Sequence, residues 1–220
     1  MDSQSSHSSQ DSQDSTLTIT DENRSEILYF AYGSNLSTEQ MRQRCPYSTA
    51  VGLGKLSGWK WIINERGYAN IVKLDDGEDD VSGEDEGKGR MEDEEEEKKK
   101  KEKQSHVYGM LYLLPTEDED RLDGYEGVPW AYEKVYLEAS WVSSSSGGGG
   151  KEDEEEEEAG GEELTPVKVL AYVDRKRTTE GQPKREYVGR MERGLEDAVG
   201  NWGMKGGYAD LLRRFWVDGR

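Results

Sequence analysis

Glu126 lies in the stretch RLDGYEGVPWAY (121–132), between Gly124 and Gly127 and flanked by Tyr125, Val128, Pro129 and Trp130. A loop carboxylate is ordinarily just solvated. Aromatic rings and a stiffening proline argue the other way: a carboxyl held against them is partly desolvated, its charged form is disfavoured, and its pKa rises toward the range useful to a general base. Other chemistries lack residues to carry them. The two histidines are His7, in a Ser/Gln/Asp-rich tail, and His106, beside an acidic insert, so neither suits a Ser-His-Asp or Cys-His nucleophile. Cys45 is the single cysteine, which leaves no zinc cluster and no intrachain disulfide. The glycines of GLGKLSG (52–58) miss the dinucleotide-binding spacing by one residue and read as a turn into a strand. Carboxylates are the main titratable groups left, and Glu126 is the candidate base.

The elements that must position it can be read from periodicity. Residues 27–32 form a continuous apolar run of strand length, which stops at Gly33-Ser34-Asn35. Ser37 and Gln40 then have the spacing of a capping box, so a helix is predicted to start at Thr38 and 33–36 becomes a strand-to-helix turn. Further strands are predicted at 55–63, 69–74, 107–114, 132–142 and 167–173. Along 132–142 the residues Val135, Leu137, Ala139 and Trp141 share one face. Helices are predicted at 117–122, with Thr116 and Glu119 as a second capping box, and at 185–199, where Tyr187, Met191, Leu195 and Ala198 recur at helical spacing. A short terminal helix carries Tyr208, Leu211, Leu212 and Phe215. The fold class is mixed α+β.

Charge separates what folds from what does not. The chain has 220 residues, 32% hydrophobic and 35% charged, with a net charge of −19. The segments 1–24, 75–105 and 143–164 together carry about −20, so the remainder is nearly neutral. Runs such as MEDEEEEKKKKEK (91–103) and SSSSGGGGKEDEEEEEAGG (143–161) lack the apolar side chains that offset ordering entropy, and disorder is expected there. The expected organisation is a disordered tail at 1–24 and one domain at 25–220, interrupted by disordered acidic loop expansions at 75–105 and 143–164. The start has neither a basic n-region nor an apolar h-region, and no apolar run approaches membrane-spanning length. A soluble cytoplasmic protein is expected, a monomer or homodimer, with neither nucleic acid nor membrane as partner.

YFAYGSNL (29–36) together with LDGYEGVP (122–129) resembles the gamma-glutamylcyclotransferase family, marked by a Tyr-Gly-Ser-Asn-Leu loop after the first strand and a Glu-Gly-Val segment carrying the catalytic glutamate. NERGYANIV (64–72) and EYVGRMERGLEDAV (186–199) are similar to segments of fungal members, so the resemblance spans all three folded pieces. Members commonly have a Leu-Pro pair before a tyrosine near the C-terminus; this chain has GMKGGYADLL (203–212), with Tyr208 as the match. The resemblance implies a barrel-like sheet with flanking helices. It also implies conversion of a gamma-glutamyl amino acid or peptide to 5-oxoproline plus the free amino acid, with Glu126 as general acid/base and no metal or organic cofactor.

On that reading Gly33 lets backbone approach a ligand closely. The amides of Ser34, Asn35 and Leu36 precede a helix start whose dipole favours a substrate carboxylate or a developing oxyanion. Tyr32 and Asn35 add side-chain hydrogen bonds, and Tyr132 and Tyr208 are further substrate-binding candidates. The bland alternatives stay open: Tyr32 as core packing, Asn35 as a turn residue, and hydroxyls of Tyr132 and Tyr208 bonded only to backbone. Two other functions stay open as well. One is cyclisation of gamma-glutamylamines such as lysine isopeptides; the other is a non-catalytic module whose acidic inserts bind basic proteins.

Overall fold

The computed structural model describes residues 25–74, 105–142 and 166–217. The tail and nearly all of both acidic inserts, where disorder was expected, lie outside the described residues. Strand β1 (Glu26–Ala31) pairs antiparallel with β5 (His106–Pro115), from Glu26↔Pro115 to Ala31↔Met110. β2 (Thr49–Ser57) takes the other edge of β5, with a register shift between Ala50 and Gly52. β6 (Glu133–Val142) follows β2, and β7 (Pro166–Val173) follows β6 along its length. β7 returns to β1 through the parallel pair Tyr29↔Leu170, closing a five-stranded barrel in the order β1-β5-β2-β6-β7.

The apolar runs of β1 and β5 are buried on both faces: one set of side chains fills the barrel interior, and the other is covered by elements packed outside the ring. Phe30, Ala31, Met110, Leu111 and Leu114 have no exposed surface. β6 instead alternates, with Lys134, Tyr136 and Glu138 on the exposed side. The strand predicted at 55–63 is two strands. Gly58 turns at φ 76°, and β3 (Trp59–Ile63) leaves the barrel to pair with β4 (Ala69–Lys73) in a separate hairpin.

A 3₁₀ turn at Ser34–Leu36 leads into helix α1 (Thr38–Arg44), whose N-cap Ser37 accepts the Gln40 N–H at 3.2 Å. Helix α2 spans Thr116–Glu126, longer than the predicted 117–122. Its cap is not the expected capping box. Pro115 occupies the N-cap, so Thr116 falls inside the first turn, one residue too late for its hydroxyl to cap. Helix α3 (Arg185–Trp202) buries Tyr187, Met191, Leu195 and Ala198, together with Gly194. Helix α4 (Gly206–Val217) buries Tyr208, Ala209 and Leu212 and sets Phe215 edge-on to Trp61 at 5.0 Å. No helix among the described residues is long and apolar enough to cross a membrane.

Candidate active site

Glu126 is the last residue of α2, and Gly127, left-handed at φ 66°, ends the helix directly after it. That placement matters electrically, because a helix C-terminus repels negative charge. The Glu126 side chain is only 16% exposed. Burial raises its pKa above the ordinary glutamate value of 4.5, against the opposing pull of Arg44 at 3.7 Å and of a hydrogen bond from Asn35. The environment thus favours a carboxyl that takes up protons readily.

Asn35 ties the Gly-Ser-Asn turn to this carboxyl. Its Nδ2 donates to Glu126 Oε1 at 3.0 Å and to the Tyr29 hydroxyl at 2.9 Å. Its Oδ1 accepts from Gln40 Nε2 at 2.8 Å and Arg44 Nη1 at 3.0 Å. Both of those groups only donate, so the amide can face only one way. The Tyr112 hydroxyl holds the Asn35 carbonyl at 2.9 Å, and Gln40 also donates to Ser34 Oγ at 2.9 Å. Gln40 therefore braces the turn from within the first turn of α1 instead of completing a reciprocal capping box.

The turn is pressed from behind by α3. A Cβ on Gly194 would stand 2.9 Å from Leu36 Cβ and 3.2 Å from the Ser37 nitrogen. A Cβ on Gly33 would meet the Tyr187 hydroxyl at 2.9 Å, so the space Gly33 leaves admits a tyrosine of α3. The Ser34 N–H points to that same hydroxyl at 3.3 Å. The Leu36 N–H bonds the Gly33 carbonyl at 2.9 Å, and the Leu36 side chain is fully buried outside the cavity. The start of α1 is occupied as well. Asp197 of α3 accepts the Thr38 N–H at 2.7 Å and the Thr38 hydroxyl at 2.6 Å.

Glu126, Tyr32, Gly33, Ser34, Asn35 and Tyr132 all line one cavity of about 220 Å³. That volume suits a small metabolite. The hydroxyls of Tyr32 and Tyr132 donate to the backbone carbonyls of Tyr172 and Ala69, which makes them struts of the cavity wall. Tyr208 is elsewhere: its hydroxyl accepts the Tyr108 N–H at 3.2 Å and its ring stacks on His106.

Several lining residues were not singled out from sequence. Arg44, Arg66 and Arg190 give the cavity three guanidiniums against one carboxylate, and Tyr29, Tyr68, Tyr125, Tyr172 and Tyr187 add an aromatic wall. One signal was available: Arg190 sits three residues after Tyr187, beside the apolar stripe of its own helix. Burial raises the pKa of the Tyr29 hydroxyl, with Glu126 adding to the effect, so it stays protonated. While it accepts from Asn35, its own O–H remains a donor.

No family model matches the chain, and no curated protein sequence matches it. Solved structures do. A gamma-glutamyl cyclotransferase superposes with a TM-score of 0.56 at 17% identity, over 86% of each chain. An uncharacterized human protein gives 0.57 at 17% identity, over 86% of this chain and 88% of the other. YkqA of Bacillus subtilis gives 0.53 at 19% identity, over 88% of this chain and 55% of its own. The fold is that of a gamma-glutamyl cyclotransferase. Within that cyclotransferase fold, the cavity lies where the turn after β1 meets the end of α2.

Proposed function

We propose that the protein is a gamma-glutamyl cyclotransferase acting on gamma-glutamyl amino acids or peptides. One observation carries the reading: Glu126, with its raised pKa, is hydrogen-bonded by Asn35 of the Tyr-Gly-Ser-Asn-Leu turn in an arginine-lined cavity. Glu126 takes a proton from the substrate α-ammonium, and the freed amine attacks its own γ-carbonyl carbon to close a five-membered ring. Glu126 passes that proton to the departing nitrogen and the γ C–N bond breaks. Glu126 then takes the second proton, which the α-nitrogen sheds on becoming the lactam N–H, and hands it to the released amine, so that 5-oxoproline and the amino acid leave with Glu126 again ionised.

The protein has little else to supply. Folding the substrate upon itself provides the orientation, for which effective molarities of about 10⁵ M or more are attainable. The Tyr29 O–H is a donor of suitable chemistry for the tetrahedral oxyanion, because it is neutral and anchored through Asn35. The test is incubation with gamma-glutamyl dipeptides, glutathione and a gamma-glutamyl-lysine isopeptide, with 5-oxoproline as the readout. Product from the dipeptides or from glutathione is expected. Product from the isopeptide alone would move the assignment to gamma-glutamylamines, and product from none would end it.

A further inference from the structure

We propose that Arg66 is the seat of a substrate carboxylate, an inference that rests on the cyclotransferase reading for the identity of the substrate. Part of the seat expected from sequence is taken: Asp197 occupies the start of α1, the Leu36 amide is bonded to Gly33 and the Ser34 amide points to the Tyr187 hydroxyl. The other two cavity arginines have partners. Arg44 donates to Asn35, and Arg190 donates through Nε and Nη2 to Glu186 at 3.2 and 3.1 Å. Arg66 is held more loosely: it forms a long ion pair with Asp174 Oδ2 at 3.9 Å, and its Nη1 is buried without a hydrogen bond. A buried N–H left unpaired costs free energy that an incoming acceptor recovers, and a guanidinium fork fits a planar carboxylate best.

The position of Arg66 is built, not incidental. Asn64 Oδ1 accepts the Arg66 N–H at 3.0 Å, while Asn64 Nδ2 donates to the buried Asp174 at 3.1 Å. Gly67, at φ 82°, turns the chain so that its carbonyl accepts the Lys184 N–H at 3.1 Å, and the Gly181 N–H bonds the Ile63 carbonyl at 2.8 Å. The hairpin tip is thereby clamped to the 180–184 segment. The rings of Tyr132 and Tyr68 lie 5.4 and 5.6 Å from the guanidinium carbon and limit its swing. Either the α-carboxylate or the carboxylate of the leaving amino acid presents the same chemistry to this fork.

The experiment compares gamma-glutamyl-alanine with its α-carboxamide and its C-terminal carboxamide. Binding is measured by calorimetry in the Glu126→Gln background, which leaves the ligand intact, and 5-oxoproline formation is measured with Glu126 present. One of the two carboxamides should bind about 10- to 100-fold more weakly than the acid, the range for hydrogen bonds to charged groups, and which one it is names the carboxylate. Adding Arg66→Gln should weaken the acid by a similar factor and leave acid and amide within about threefold of each other. Full discrimination persisting in Arg66→Gln overturns the proposal. Should that variant lose its cooperative melt, Arg66→Lys decides: reduced discrimination supports the seat and unchanged discrimination overturns it. Discrimination without 5-oxoproline formation would sink the cyclotransferase reading and leave the seat standing; product without discrimination would do the reverse.

Discussion

At the scale of single residues, Glu126 joins two demands that pull against each other. Glu126→Gln preserves shape but removes the proton acceptor, so kcat should fall by at least the ~10²-fold typical of a lost general base while circular dichroism is unchanged. Near-normal turnover would remove Glu126 from the mechanism. The rate should rise with pH through the Glu126 pKa, since the ionised form is the base, and that limb should lie above 4.5 and vanish in the Gln variant. Stability should run the opposite way. With the folded-state pKa raised, the protonated carboxyl favours folding; that contribution is complete below the unfolded value of about 4.3 and is lost as pH rises through the folded one. Glu126→Gln mimics the protonated form, so it should melt above the wild type at pH 7, with the gap closing below about pH 4. Glu126 and Asn35 could be read from sequence because each sits among small or aromatic neighbours in a short motif. Arg66 and Arg190 could not, because a cavity wall gathers them from a hairpin tip and a distant helix, and no local spacing records that meeting.

At the scale of elements, two contacts of α3 set the turn against the cavity. Asp197→Ala removes the side chain that caps α1 from another helix and should cost about 1 kcal/mol, the usual worth of an N-cap. Although burial pulls the other way, hydrogen bonds from Thr38 and Asn201 hold the Asp197 pKa below its ordinary value. Its contribution is therefore present at neutral pH and lost as pH falls through the folded value, so wild type and variant should melt alike in strong acid. Gly194→Val drives a branched side chain into Leu36 and Ser37; a loss of about 1–3 kcal/mol is expected, with turnover reduced because Asn35 moves away from Glu126. Melting and 5-oxoproline assays on one preparation separate the two effects. Ser37 was legible as a cap because its hydroxyl faces its own helix, whereas Asp197 was not, lying well over a hundred residues further along the chain. The break at Gly58 was hidden for a different reason: Leu56 and Trp59 flank it with strand-forming side chains, and it takes the positive φ and the change of partner from β5 to β4 to show that the strand changes sheets.

At the scale of the whole molecule, the acidic segments begin and end where the barrel brings strand ends together. The Leu74 N–H bonds the Gly58 carbonyl at 2.9 Å, and the Gly58 N–H bonds the Ser105 carbonyl at 2.8 Å, so both flanks of the first segment meet at one glycine. Flanks of the second belong to the paired strands β6 and β7. Replacing 76–104 and 144–163 by short Gly/Ser linkers should keep kcat within about threefold, less than ~1 kcal/mol of barrier, while lowering solubility as the net charge falls from −19 to about −4. Loss of turnover with an intact circular dichroism spectrum would instead make one of those segments part of the site. The ring that carries the cavity is unevenly laced. β1 is paired with β5 along its whole length, but β1 and β7 meet at Tyr29↔Leu170, helped by the Tyr32 hydroxyl on the Tyr172 carbonyl. Rings open at their thinnest join, so backbone amides around 170–172 should exchange with deuterium faster than those of β5. Tyr29, Tyr32 and Tyr172 stand on that join and also face the cavity. A ligand lodged among them bridges the two edges, and its arrival should register as slowed exchange along the clasp.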